Sequence, residues 1–406
     1  MYWTARFDVC CFLDNHQYPS AYNSFECLAG AGCLQKFEAL ENFFPSLSSF
    51  VEKNDDWIFG HFSYDLKNKI ETGLFSQNTD KVQFPECVLF VPRIVLKLSS
   101  GSLSIGVIDD NADEIFTQIT AENSLHELPS PVAMKPGISK EAYVDAVRKL
   151  QHHIGQGDCY EINFCQELFA NASINPVAVY EQLNAVSPNP FSAFYKVEDH
   201  FLLCASPERY LKKEGQKIIS QPIKGTSARD TNNEIDSQNR QQLLHSAKDR
   251  SENVMIVDLV RNDLSKVCEE GSVGVDELFS VYTFPSVHQM ISTVSGTLKA
   301  DTTFADILQA TFPMGSMTGA PKRKVMQLIE QYESSKRGIY SGAVGYISPE
   351  KDVDFNVVIR SLVYNNNAQY LSFHVGSAIT SYSDPEKEYE ECLLKGEAIM
   401  KVFSEK

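Results

Sequence analysis

The 406-residue chain lacks an excess of positive charge: 36 lysines and arginines stand against 53 aspartates and glutamates, a formal net charge of -17. Nucleic acid and anionic membranes demand a basic surface, so neither is expected as a partner, and an anionic ligand would need positive groups gathered locally. Paired cysteines are missing too. The ten cysteines are scattered with no C-x-x-C anywhere, which argues against a zinc site or a disulfide framework and suits reduced thiols in a cytoplasmic protein. The start, MYWTARFDVCCFLDNHQYPS, has no basic segment leading into a long apolar one, and the longest apolar stretch, Cys87 to Leu98, is broken by Pro92 and Arg93. Neither a signal peptide nor a membrane span is expected.

What is present is an ordinary globular composition, 43% hydrophobic and 22% charged, with length enough for two or three modest domains or one large two-lobed one. Up to about residue 130 the chain is sheet-rich, with short apolar runs at Trp57 to Phe59, Val88 to Val91, Ile94 to Leu98 and Leu103 to Ile108 between turn residues. In FGHFSYDLKNKIE, Tyr64, Asp65 and Lys67 read as a strand end. ELPSPVAMKPG, from Glu127 to Gly137, is the best linker, and residues 137–406 form the second region. There Ser139 can cap a helix carrying Tyr143, Val147, Leu150 and Ile154 at helical spacing, and Asn175-Pro176 opens another. A strand-like run starts at Cys159. Phe201 to Ala205 reads as a buried strand delivering Ser206-Pro207-Glu208-Arg209, which puts Glu208 at a cleft edge or in a solvated turn.

Chemistry concentrates in the second region. QPIKGTSAR sets Lys224 between Pro222 and Gly225, with Thr226 following; proline and glycine mark an ordered turn that points the lysine somewhere. In KDRSENVMIVDLVRNDLSKV, Asp249-x-x-Glu252 has capping-box spacing, and the helix beyond it, Val254 to Val260, is apolar almost all round. That helix is expected to be buried, with Glu252 facing a pocket. SDPEKEYEECLLKGEAIMKVF starts a helix at Asp384-Pro385 and puts Glu388, Glu391 and Lys395 on one face, which alone would be a solvated acidic stripe. If the two acidic pairs converge, like charges about 4 Å apart repel by roughly 4 kcal/mol each at an effective dielectric near 20 and call for a divalent cation. Carboxylates without cysteine or histidine select magnesium over zinc. Met314 to Lys322, containing Ser316, is a glycine-bearing loop suited to an anion but lacking P-loop spacing. His288 opens an apolar stretch. Tyr340 to Ile347, Asp354 to Leu362 and Tyr370 to Val375 read as a strand meander, in which Arg360 would be paired, best by a bidentate carboxylate.

These stretches resemble the chorismate-utilising enzymes. GDCYEINFCQ, SPERYL, PIKGTSAR, KDRSENVMIVDLVRNDL, GSMTGAPK, RGIYSGAVGY, DFNVVIRSL and DPEKEYEECLLKG follow in family order from about Ser139, and FGHFSYDLK extends the likeness towards the start. The resemblance implies an α+β fold of two large, mainly antiparallel sheets packed together with helices outside. It implies that Glu252 and Glu391 ligate magnesium, with Asp249 and Glu388 helping through water, and that the metal holds the ring carboxylate of chorismate. Tyr340, Arg360 and backbone amides near Gly376 would take the enolpyruvyl carboxylate, while Thr226, His288, Ser316 and Lys395 line the same pocket.

Within the family, the lysine of PIKGT resembles that of the branch that aminates chorismate at C4, giving 4-amino-4-deoxychorismate for para-aminobenzoate and folate. Lys224 would attack C2 and expel the C4 hydroxyl, with Glu208 as general acid and base, and ammonia would then displace the lysine. A protonated lysine cannot attack, and a carboxylate cluster favours protonation. The alternatives are the anthranilate synthase large subunits, which carry alanine where Lys224 stands, and a non-catalytic chorismate- or tryptophan-binding relative, against which the intact carboxylates speak. Isochorismate and salicylate synthases have a lysine base aligned with Glu161. Glutamate there argues against water addition, and it departs from the glutamine of many C4-aminating relatives, which leaves its role open. Gly376-Ser377-Ala378 also departs from a repeated glycine. Nothing resembles the G-x-C-x-G turn of a glutaminase, so a separate glutamine amidotransferase subunit is expected to supply ammonia.

Overall fold

The short apolar runs become the strands of two antiparallel sheets. The computed structural model of the chain describes residues 1–18, 22–38, 41–122, 128–285 and 287–403; Glu127, at the head of the proline-bearing segment, and Ser286, two before His288, lie outside them. One sheet has eleven strands, in the order Gly319–Ala320, Glu161–Asn171, Tyr370–Ile379, Ser361–Asn365, His200–Ser206, Phe191–Val197, Val9–Asp14, Cys27–Ala31, Ile94–Ser99 and Ser102–Val107, with Lys135–Pro136 beside Glu161–Asn171. The other has ten: Ile223–Ala228, Val287–Thr297, Lys217–Gln221, Arg209–Glu214, Val353–Val357, Ala343–Ile347, Ile58–Phe62, Cys87–Val91 and Gln35–Glu38, with Gly274–Thr283 against Val287–Thr297. Strands from the first 107 residues thus extend both sheets, and the proline-bearing segment is pinned to the larger one where Lys135 pairs with Phe169.

Period-2 alternation decides how the layers stack. Val9, Cys11 and Leu28 of the larger sheet meet Phe59, Val88, Phe90 and Val344 of the smaller one in a core between them. Alternate residues face outward, and helices cover them. Leu47, Ile256 and Ile307, from helices Phe43–Lys53, Ala247–Ser265 and Phe304–Thr311, pack on the smaller sheet. Tyr143, Leu183, Val325 and Cys392, from Lys140–Gly155, Pro176–Val186, Lys322–Tyr332 and Pro385–Met400, pack on the larger. This is the expected α+β arrangement. Among the described residues no helix is long and apolar enough to cross a membrane.

Local chemistry sets the helix starts. Ser139 accepts from the Ala142 amide and Asn175 from those of Val177 and Ala178, each capping its helix as expected. The helix beyond Asp249 differs, and it is not buried all round: Ile256, Val257 and Val260 face the core while Val254, Asp258 and Arg261 are exposed. Ser246, not Asp249, caps it, its hydroxyl accepting from the Asp249 amide at 3.3 Å, so the helix starts at Ala247 and Glu252 lies in its second turn. Serine three residues ahead of an acid is itself a capping spacing, and it acts one turn earlier. Nor is Asp354 to Leu362 a single strand. Val353–Val357 belongs to one sheet and Ser361–Asn365 to the other, and the chain crosses between them at Arg360, in left-handed conformation with φ 51°.

Arg337, at the head of RGIYSGAVGY, ties the layers together. Its guanidinium is buried, pairs with both oxygens of Glu333 at 2.5 and 2.9 Å, and donates to the carbonyls of Met317 and Asn163 at 2.7 and 2.8 Å. The Tyr64 ring lies 4.6 Å from its centre. Replacing Arg337 leaves the Glu333 carboxylate buried and alone, so Arg337→Met is expected to lower stability in urea unfolding by about 3–5 kcal/mol, and the double variant R337M/E333L to recover most of the loss.

Candidate active site

Lys224 stands on an irregular edge of the smaller sheet. Ile223 pairs with Ile291 and Thr226 with Gln289, so three steps on one strand match two on the other, and Lys224-Gly225 form a bulge. Gly225 has φ 89°, and the Asp249 carboxylate fills the space a Cβ would need, its Oδ1 2.9 Å from that position. Only glycine allows both. The bulge buries Lys224 with its Nζ 2.5 Å from Glu161 Oε1. Burial pulls the amine's pKa down, but Glu161, Glu252 and Glu208 outweigh it and hold it above the ordinary lysine value.

Glu208 arrives at the end of strand His200–Ser206 and is buried, accepting from the Ser316 hydroxyl at 2.6 Å. Burial pushes its carboxyl up to about 7, against the opposing pull of Ser316, Lys224 and Arg360. Arg360 faces Glu208 from the crossover. Burial lowers its guanidinium to about 10, with Glu208 the charge that steadies it, and among the described residues it donates no hydrogen bond. Among the described residues no carboxylate makes the expected bidentate pair with it.

The acids of the two helix starts act on one lysine. Glu252 is buried, and its Oε1 has no hydrogen-bond partner among the described residues. Burial pushes it up to about 7, with Glu161 and Asp249 adding to the rise and Lys224 and Lys248 opposing it. Lys248, 3.9 Å away, is lowered by burial but raised overall by Glu252, Glu388, Glu391 and Asp249 together, so all four acids share its neighbourhood. Glu391 pairs with Lys395 at 2.7 Å, and Lys395 also donates to the Gly376 carbonyl at 3.1 Å. Against burial, Lys395, Lys248 and Lys224 hold Glu391 below the usual carboxylate range. Among the described residues no three histidine, cysteine or acidic side chains stand close enough to form a ready-made metal cage. The Tyr340 hydroxyl lies 3.8 Å from Cys165 Sγ, the atom that a Cβ on Gly376 would strike.

Two expected residues stand apart. Thr226 is exposed, and the bulge that buries Lys224 turns it to the Gln289 face, away from the lysine. His288 is buried but engaged elsewhere, bonded at 3.0 Å to both Asp236 and Thr283, with Asp236 also held by Arg229. Neither joins the cluster around Lys224. Conversely, Glu161, Lys248 and Arg337 carry more of the site than their sequence context indicates. Lys248 had a local signal, four residues ahead of Glu252; Glu161 stood out only through its place in the family motif, and at 63 positions from Lys224 no local pattern paired the two.

Because the Glu252 carboxyl titrates near 7 in the folded protein and near 4.5 as an ordinary solvated glutamate, the metal-free protein bears a buried charge at pH 8 that it sheds on acidification. Glu252→Gln should stabilise the metal-free protein at pH 8 by roughly 2–3 kcal/mol in urea unfolding. The gain should shrink as pH falls through 7 and vanish near 4.5, where the wild-type carboxyl is protonated in the folded and increasingly in the unfolded chain.

Comparison with known proteins places this geometry. The chorismate binding enzyme family matches the chain over residues 17–401. The chain is 39% identical over 345 residues to aminodeoxychorismate synthase component 1 of Escherichia coli (strain K12), covering 84% of this chain and 76% of that protein. It is 37% identical over 356 residues to a probable chloroplastic aminodeoxychorismate synthase of Oryza sativa subsp. japonica, covering 87% of this chain but only 38% of the rice protein. In fold it matches anthranilate synthase component I from Streptococcus pneumoniae TIGR4, with TM-score 0.82 at 24% identity over 95% of this chain and 96% of that one. It also matches the menaquinone-specific isochorismate synthase MenF of Escherichia coli, with TM-score 0.78 at 18% identity over 99% and 90%. Family motifs in order, two sheets that cup an acidic cluster around one lysine, and these matches across most of its length make the chain a member of the chorismate binding enzyme family.

Proposed function

We propose that the chain is component 1 of an aminodeoxychorismate synthase, converting chorismate and ammonia to 4-amino-4-deoxychorismate for para-aminobenzoate and folate. The observation that carries the reading is Lys224, a buried amine on the PIKGT bulge on which Glu161, Glu252 and Glu208 all act. An anthranilate-forming enzyme has no use for that amine. The bacterial relatives named component 1 from Escherichia coli and Bacillus subtilis support the assignment and, with it, a separate glutamine amidotransferase subunit as the source of ammonia.

Chorismate brings two carboxylates. Arg360, whose guanidinium has no acceptor among the described residues, is suited to the enolpyruvyl carboxylate, and Tyr340 and the amides near Gly376 would be its further donors. Glu252 and Glu391, assisted by Asp249 and Glu388, would hold magnesium: the donors are all oxygens, and Glu252 Oε1 is buried without a hydrogen bond among the described residues, which fits a hard divalent cation. When bound, that ion supplies positive charge to the acids and to the ring carboxylate. Ser316 and Lys395 line the same pocket. Lys224, as the free amine, attacks C2; the ring double bonds shift and the C4 hydroxyl leaves with a proton from Glu208, which burial keeps protonated up to about pH 7. Ammonia then attacks C4, the double bonds return, and the lysine is displaced.

Purified protein given chorismate, magnesium and ammonium should form 4-amino-4-deoxychorismate, identified by mass spectrometry. Lys224→Ala should slow it at least about 10²-fold. Anthranilate as the product, or chorismate bound and returned unchanged, would refute the reading.

A further inference from the structure

We propose that Glu161 is the base that takes the proton from Lys224, leaving Glu208 to serve the substituent at C4. The inference rests on the C4-amination reading above and supplies the step on which its nucleophile depends.

Three carboxylates face Lys224, each from a different element: Glu161 from strand Glu161–Asn171, Glu252 from helix Ala247–Ser265 and Glu208 from the turn after strand His200–Ser206. Of these only Glu161 touches the amine, Oε1 to Nζ 2.5 Å, within the reach a general base needs. Glu208 is engaged by Ser316 and faces Arg360, while Glu252 looks towards Lys248 and the second acidic helix start. The other oxygen of Glu161, Oε2, is buried without a hydrogen bond among the described residues. Besides Lys224, no hydrogen-bond donor to the Glu161 carboxylate is found among the described residues. In a site that is losing water, both charges of such a pair are penalised, and moving one proton from nitrogen to oxygen turns it into a neutral amine beside a neutral acid. Entry of a dianionic substrate and expulsion of water push in that direction. Where this position is glutamine, no such transfer is open; here the ion pair must be dissolved before the lysine can act, and the carboxylate that forms it is the nearest acceptor.

The protons balance. Lys224 starts as the ammonium and gives one proton to Glu161; its lone pair forms the bond to C2, and the C4–O bond breaks as Glu208 protonates the departing hydroxyl to water. Ammonia bonds to C4 and the C2–N bond breaks, returning Lys224 as the neutral amine. The new C4 ammonium gives a proton to Glu208, and Glu161 returns its proton to Lys224, so that chorismate and ammonia leave as aminodeoxychorismate and water.

The test is formation of the Lys224 adduct in the magnesium-loaded protein with chorismate and no ammonia, followed by quenching and intact mass from pH 6 to 9. Wild-type protein should form it at a rate that falls above pH 7 only as Glu208 loses the proton it gives to the departing hydroxyl, since the transfer from Lys224 is internal. Glu161→Gln keeps the hydrogen bond but cannot take the proton; it should be slowed about 10²-fold relative to wild type at pH 7, and that deficit should shrink as pH rises. Glu161→Asp, which keeps a carboxylate, should retain the wild-type pH profile even if slower, and melting curves establish that both variants fold. The proposal is overturned if Glu161→Gln forms the adduct as fast as wild type or faster at pH 7, which would make Glu161 a clamp on the lysine, or if both variants lose the same factor at every pH, which would make its role structural. Wild-type protein that gives neither adduct nor aminated product would sink the C4-amination reading and this proposal together, whereas an active wild type with an indifferent Glu161→Gln would sink the proposal alone.

Discussion

The site depends on an imbalance of buried charge. Glu161, Glu208 and Glu252 all act on a single buried amine, Lys224, and the acids at 249, 388 and 391 add to the same region from two helix starts. Ionised carboxylates out of water are costly unless paired. One lysine cannot satisfy three. Glu208 and Glu252 answer by rising to about 7, and Glu391 escapes by pairing with Lys395 at its partly exposed edge. A site left in that condition is matched to positive charge from outside and to chemistry that moves protons near neutrality.

The fold is what holds so unfavourable an arrangement in place. Lys224 is brought in by one sheet and Glu161 by the other, and the chain passes between the sheets at Arg360, close to Glu208. The helix that carries Asp249 and Glu252 is driven into place by Ile256 and Val260 packing on the smaller sheet, not by its acids. Arg337 fastens the strand of Asn163, the turn at Met317 and the end of the helix before Glu333. Hydrophobic burial thus provides the stability, and the acids occupy positions the core has already decided.

Much of this was legible in the sequence. Apolar runs located most strands, and Ser139 and Asn175 marked their helices; the acids at 249, 252, 388 and 391 all act on Lys248, though no three of them are grouped as metal ligands among the described residues. What escaped depends on relations that local pattern does not encode. A one-residue bulge reverses the face of everything beyond it, so Thr226, two residues from Lys224, points away from it. Arg360 lies in an apolar run that looks like one strand, but the run changes sheets at that residue. His288 finds Asp236 and Thr283 across its own sheet and the neighbouring helix, contacts set by tertiary packing. The cap on the helix of Glu252 was misplaced by one turn because two acceptable capping spacings overlap, and the serine lies ahead of the acid.

The claim at the centre is that these carboxylates together form a cation site beside the amine. Calorimetric titration of magnesium into the protein at pH 7, repeated in buffers of different ionisation enthalpy, tests it directly. Saturation at one ion per chain, with release of about half a proton from a Glu252 carboxyl poised near 7, is the result the account requires. Absence of saturable binding, or binding whose heat is the same in every buffer, would contradict it.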